Sequence, residues 1–281
     1  VNQAEVVSIR GAGFRTSAWA ERSGAFVRHY WVTLVSALVL LAVWEIEAQL
    51  KLLPPFVLPA PSAIVRATVQ FWGLLLNDVG ITTWEIVLGF AAGSLVGLAL
   101  AIGIVFSRII EQIVYPPAIV TQIVPKLAVA PLFVIWFGVG VTPKVMITLL
   151  ICLFPVLVNA VSGMRAVDPR MLELMHSINA SRWQVFTKVE FPNAGPYIFA
   201  GLKVGITLAV VGAIVGEWLG SNVGLGYRIL AANSSLRTDL LFAAIAALSI
   251  VGIALYGLTA LAERILLPSR PDVSAPEKGT L

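Results

Sequence analysis

Apolar residues fill long windows of this chain, and polar residues gather between them. Stretches such as "ITTWEIVLGFAAGSLVGLALAIGIVF" and "YIFAGLKVGITLAVVGAIVGEWLG" exceed the roughly 20 residues needed to cross about 30 Å of hydrocarbon. Six windows of this kind predict transmembrane helices over 31–50, 81–106, 113–137, 143–165, 197–220 and 239–266. The third is interrupted by Pro116, Pro117, Pro125 and Pro131, each of which removes a backbone donor. Between the first two windows, 51–79 reads as an extended Pro-rich stretch followed by a short amphipathic helix at the outer interface.

One connection keeps helical periodicity while carrying charge. "MLELMHSINASRWQVFTKVEFP" runs from Met171 to Pro192 and holds Glu173, His176, Arg182, Lys188 and Glu190. Asp168-Pro169 ahead of it is a helix start, an acidic N-cap followed by a first-turn proline. Met171, Leu174, Met175 and Ile178 recur on one face. Asn179 tolerates the left-handed backbone that would stop the helix. Ser181 with Gln184 forms a capping-box pattern for a second short helix, with Trp183, Phe186 and Val189 on one face and Pro192 as its end. Two readings fit this helix pair: a connector resting on headgroups, or a docking element with aromatic anchors.

Composition agrees with the spans. The 281 residues are 58% hydrophobic and 12% charged, half the charged share of a soluble domain. Mean hydropathy is +0.91. The fold class is therefore all-α, a polytopic membrane protein with about six transmembrane helices. The lone Cys152 permits no internal disulfide, and His29 and His176 lack metal-ligand spacing, so no metal site is expected. The net charge of +4 reflects membrane topology, and no nucleic-acid partner is expected. Arg10, Arg15, Arg22 and Arg28 precede the first window, which is too long for a signal-peptide core and is expected to be retained. With the N-terminus inside, twelve Lys and Arg fall on the inner side and five on the outer, which predicts both termini, and 166–193, in the cytoplasm. Residues 1–30 form a cytoplasmic segment, 31–267 the membrane domain, and 268–281 a disordered tail.

Within the spans, ionisable and proline residues are candidates for a pathway. Lys126 follows Pro125 and precedes Pro131; it either offers charge to an anion or snorkels to an interface. Glu217 pairs with a basic group, lines an outer gate, or lies at the interface. Asn159 faces a cavity or makes a helix–helix hydrogen bond. Gly89, Gly93 and Gly97, and likewise Gly212, Gly216 and Gly220, form small-residue stripes that indicate close packing.

The charged connection resembles the cytoplasmic "EAA" loop of ABC-importer permeases. Glu173-Leu174-Met175 stand at E-A-A, Asn179 at the glycine, Ala180, Ser181, Arg182 and Trp183 follow, and Phe191-Pro192 stand at L-P. Leu-Met for Ala-Ala and Asn for Gly are its departures. "LPAPSAIV", "PKLAVAPLFVIWFGVG", "FPVLVNAVSGMRAVDPRMLE" and "GEWLGSNVGLGYRI" are similar to the nitrate/sulfonate/taurine branch. This resemblance implies a type I permease fold in a bacterial inner membrane, with 168–192 as the coupling loop. It also implies a cytosolic ABC ATPase dimer, an extracytoplasmic binding protein and a second copy of this chain as partners. The chain lacks a G-x-x-x-x-G-K-[ST] cradle, so ATP and Mg2+ would sit on the ATPase and this subunit would not be an enzyme. The implied cargo is a small anion such as a sulfonate, taurine, nitrate or an aromatic acid. The alternatives are neutral pyrimidine- or flavin-type compounds, or an ATP-independent secondary transporter, which usually shows an inverted repeat that this sequence lacks.

Overall fold

The computed structural model describes residues 17–123 and 126–267. All regular secondary structure among the described residues is helical. The chain divides into two units at Val65. In the first unit, α1 (Ser17–Gln49) carries the expected first span, Trp31–Gln49. The helix α2 (Pro61–Gln70) begins in this unit. Glu45 joins the two: its Oε2 accepts from Ser62 N–H at 2.9 Å and its Oε1 from Ser62 Oγ at 2.8 Å. The amphipathic helix expected after the Pro-rich stretch is α2.

The second unit holds α3 (Trp72–Phe106), α4 (Arg108–Ile123), α5 (Lys126–Phe137), α6 (Val141–Arg165), α7 (Pro169–Ser177), α8 (Arg182–Val185), α9 (Phe191–Gly220), α10 (Leu225–Ser234) and α11 (Thr238–Leu266). Four helical stretches here are long and apolar enough to cross a bilayer: α3, α6, Arg182–Gly220 and α11. The second span therefore begins nine residues before the expected 81. At 35 residues α3 runs about 52 Å, well beyond the hydrocarbon thickness, so one end projects into the interface.

The expected third span is not one helix. It is divided between the amphipathic α4, with Pro116 and Pro117 inside it, and α5, a 12-residue apolar helix about 18 Å long. Neither is long enough alone to cross. Pro125 lies outside the described residues, and Pro131 is inside α5.

The core is α6, held between α3 and α9. Its buried residues include Ile147, Ile151, Cys152, Val156, Leu157, Ala160 and Val161. Glycines line both of its neighbours. A Cβ on Gly93 of α3 would stand 2.7 Å from Leu149 O, and one on Gly97 2.7 Å from Leu153 O. On α9, a Cβ at Gly201 would stand 2.9 Å from Pro155 O, at Gly212 2.9 Å from Thr148 Cα, and at Gly216 2.9 Å from Lys144 Cα. The clash is with backbone, which cannot swing aside. In lipid, apolar surface gains nothing by leaving its solvent, so the attraction comes from this close backbone approach. Farther round α9, Lys203 forms an ion pair with Glu263 of α11.

Gly212→Leu should therefore destabilise the bundle by about 1–3 kcal/mol through overpacking. Gly257→Ala on α11, where a Cβ meets nothing within 4 Å, should be neutral or slightly stabilising. Thermal midpoints of the detergent-solubilised protein measure both; equal behaviour of the two variants would contradict this packing account.

Candidate functional site

The connection between α6 and α9 is built as the sequence predicts at three points. Asp168 caps α7, its Oδ1 accepting from Arg170 N–H at 2.9 Å, with Pro169 as the first helical residue. Asn179 adopts φ 53°, and the chain closes around it. Ala180 N–H donates to Met175 O at 3.0 Å and Asn179 N–H to His176 O at 2.9 Å, the two bonds of a Schellman turn. Ser181 then caps α8 reciprocally with Gln184: Gln184 N–H donates to Ser181 Oγ at 3.3 Å, and Ser181 N–H to Gln184 Oε1 at 2.8 Å.

The expected end at Pro192 is corrected. The chain runs from α8 through a π turn, Phe186–Glu190, straight into α9, where Pro192 occupies the first turn. In that turn Phe191 N–H reaches back five residues to Phe186 O. The widened turn meets the start of α9, where the N–H that proline lacks is least needed. Arg182–Gly220 is thus one continuous arm from the loop into the bundle.

The two short helices turn some apolar residues in and others out. Met175 and Phe186 are buried, and Phe186 joins Phe106, Trp183 and Phe191 with ring centroids 4.8–5.9 Å apart. Arg182 fixes this elbow to the end of α3, donating from Nη1 to Glu190 Oε1 at 2.6 Å and from Nη2 to Val105 O at 3.0 Å. Met171, Leu174, Ile178 and Trp183 remain exposed, Ile178 at 65% and Trp183 at 63%. Glu173, Asn179 and Ser181 are exposed beside them, and Ala180 is half-buried.

The pathway candidates do not converge. Lys126 begins α5, partly exposed, with Nζ 4.9 Å from the ring centroid of Phe154 and no carboxylate partner among the described residues. Pro131 is exposed on the same helix. Asn159 lies in the α6–α9 seam, its Nδ2 donating to Pro155 O at 2.8 Å while its Cβ faces Gly201. Glu217 is fully buried near the other end of α9.

There Glu217 belongs to a network that the sequence reading missed. The first turn of α10 leaves four N–H groups without intrahelical partners, and side chains from α3 and α9 take all of them. Gly224 N–H donates to Asp78 Oδ1 at 3.0 Å and Leu225 N–H to Thr82 Oγ1 at 2.8 Å. Gly226 and Tyr227 N–H both donate to Glu217 Oε2, at 2.6 and 3.1 Å. Thr82 Oγ1 donates to Glu217 Oε1 at 2.6 Å, and Arg228 Nε to Asp78 Oδ2 at 2.8 Å. Beside it Lys144 pairs with Glu85 and donates to Ser221 Oγ at 2.9 Å. Gly224 has φ 103°, and a Cβ there would strike the Glu217 carboxylate. Asp78, Thr82 and Glu85 are spaced four and three apart, a polar stripe legible in the sequence once the helix is begun at 72 rather than 81.

A sequence profile described as "Binding-protein-dependent transport system inner membrane component" matches residues 89–268. The chain belongs to this family. The permease is 37% identical, over 78% of its length and 89% of the relative's, to a probable ABC transporter permease protein of Haemophilus influenzae. It is 35% identical, over 83% and 93%, to a formylaminopyrimidine transport permease protein of Halalkalibacterium halodurans. It is 33% identical, over 91% and 94%, to a putative aliphatic sulfonates transport permease protein of Bacillus subtilis. Taurine and nitrate permease proteins of Escherichia coli and Synechocystis also match, which sets the permease in the nitrate/sulfonate/taurine-like branch. A crystal structure of an amino acid ABC transporter with histidines shares the fold, with TM-score 0.59 at 20% identity over 70% of this chain and 96% of that one.

At the permease's turn, Asn179→Gly should be tolerated, since glycine adopts this φ freely. Asn179→Val should cost about 1–2 kcal/mol. Proteolytic susceptibility of 168–192 reads the difference; a severe loss in the glycine variant would instead assign a role to the asparagine amide.

Proposed function

We propose that the exposed elbow, 168–192, is where this permease docks on a cytosolic ABC ATPase dimer, which holds ATP and Mg2+. The observation that carries this reading is the uncovered apolar face of Met171, Leu174, Ile178 and Trp183 on two rigidly capped helices. Two helices so fully capped, with an exposed tryptophan, are more order than a connector resting on headgroups needs. Because Arg182–Gly220 is continuous, force applied at the elbow passes directly to the α9–α6 seam. Closing of the ATPase dimer would then tilt the packed core between inward- and outward-facing states. Two copies of this chain around a two-fold axis enclose the pathway, an extracytoplasmic binding protein delivers cargo, and both termini face the cytoplasm of a bacterial inner membrane.

The cargo class we infer is a small organic or inorganic anion. The sulfonate, taurine and nitrate relatives support it, and so does Lys126, a cation beside Phe154 with no carboxylate partner among the described residues. The formylaminopyrimidine relative favours a second reading, a neutral pyrimidine-type compound on the same machinery.

Glu173→Lys should lower ATPase co-purification and uptake while membrane insertion stays normal. Trp183→Ala should weaken ATPase association about thirtyfold, the usual cost of truncating an aromatic anchor. Normal uptake with unchanged co-purification in both variants would overturn the docking assignment. For the cargo, a thermal-shift screen of the partner binding protein should select anions; selection of neutral ligands alone would remove the role of Lys126.

A further inference from the structure

A cavity of about 360 Å3 lies at the elbow end of the bundle, walled by the ends of α3, α4, α6, α7 and α8. Its charged wall is Arg108, Arg165, Arg182, Glu111 and Glu190, three positive groups against two negative, a balance of +1. Two of the arginines are engaged. Arg165 pairs with Glu111 at 2.8 Å, and Arg182 with Glu190 at 2.6 Å. Arg108 has no carboxylate partner among the described residues. Glu190, 7% exposed, turns Oε1 to Arg182 and has its Oε2 enclosed by protein. The cavity thus lacks one negative charge beside Arg108. Its apolar wall, Ile104, Val105 and Met164, is formed by the last turns of two membrane-spanning helices, so it stands at headgroup depth.

We propose that this cavity binds the headgroup of an anionic phospholipid, specifically a phosphatidylglycerol-type phosphodiester. The single negative phosphate answers Arg108 and the partly exposed Arg165 guanidinium, and the acyl chains lie against Ile104, Val105 and Met164. Leu172 of α7 and Arg182 of α8 line the same cavity, so an occupied site ties the elbow to the ends of α4 and α6. The lipid is then a structural strut for the elbow. The inference rests on the docking reading only for the consequence to coupling; occupancy of the cavity does not depend on it.

The test incubates the purified permease–ATPase complex in detergent with equimolar phosphatidylglycerol and phosphatidylcholine, and counts bound lipid by native mass spectrometry. The wild type should retain phosphatidylglycerol about fivefold over phosphatidylcholine, and Arg108→Gln should bring the two to parity. Arg264→Gln, at the inner end of α11 and outside the cavity, should keep the preference. Wild-type parity overturns the proposal even if the Arg108 variant cannot be recovered. An equal loss in the Arg264 variant overturns it in favour of diffuse surface charge. Displacement of the lipid by about 10 mM inorganic phosphate reassigns the cavity to a free anion and overturns the lipid assignment. The lipid ratio is read on the permease peak itself, so loss of the ATPase from the spectrum would count against the docking reading alone.

Discussion

Everything in this permease depends on how closely α3 and α9 approach α6. Hydrocarbon gives apolar helices no reason to leave it for one another, so association must come from contact too tight for lipid to match. Gly89, Gly93 and Gly97 of α3 and Gly201, Gly212 and Gly216 of α9 remove the side chains that would hold the axes apart. The backbone of α6 fills the space. A unit packed this way resists gradual deformation and moves as a body. That property lets a push at one end become a rearrangement at the other.

The two polar ends of this packed unit do different work. At one end, Asp78, Thr82 and Glu217 replace the intrahelical partners that the start of α10 lacks; Arg228 pairs with Asp78 and Lys144 with Glu85, while Glu217 is held by hydrogen bonds. Burying such groups is tolerable because they satisfy one another; removing one partner would strand the rest. At the other end the elbow is capped, turned and aromatic-packed, yet presents an apolar face that nothing among the described residues covers. One end is closed on itself and the other is unfinished.

Much of this was legible in the sequence, because caps, turns and glycine spacing are local codes. Asp168, Asn179, Ser181 and Gln184 were each readable as residues with a backbone job, and each does it. The glycine stripes announced packing. The division of 113–137 into α4 and α5 was foreshadowed by its prolines, although the hydropathy window joined them. Two features escaped. Pro192 looks like a stop because a proline blocks an ordinary turn, and the π turn that precedes it is a tertiary outcome with no sequence code of its own. The network at the start of α10 escaped because its α3 members lie 135 to 150 residues from their partners and because α3 was begun too late to include Asp78. Glu217 was singled out for its charge, but its work as a cap is visible only when α10 is folded against it.

The central claim is that Arg182–Gly220 transmits as one arm. Inserting Gly-Gly-Ser after Thr187, within the π turn, tests it in the reconstituted complex. The account predicts that the ATPase still co-purifies and hydrolyses ATP, while ATP-dependent uptake falls at least about tenfold because the elbow no longer drags the core. Uptake equal to that of the uninterrupted chain, with the ATPase bound, would contradict it.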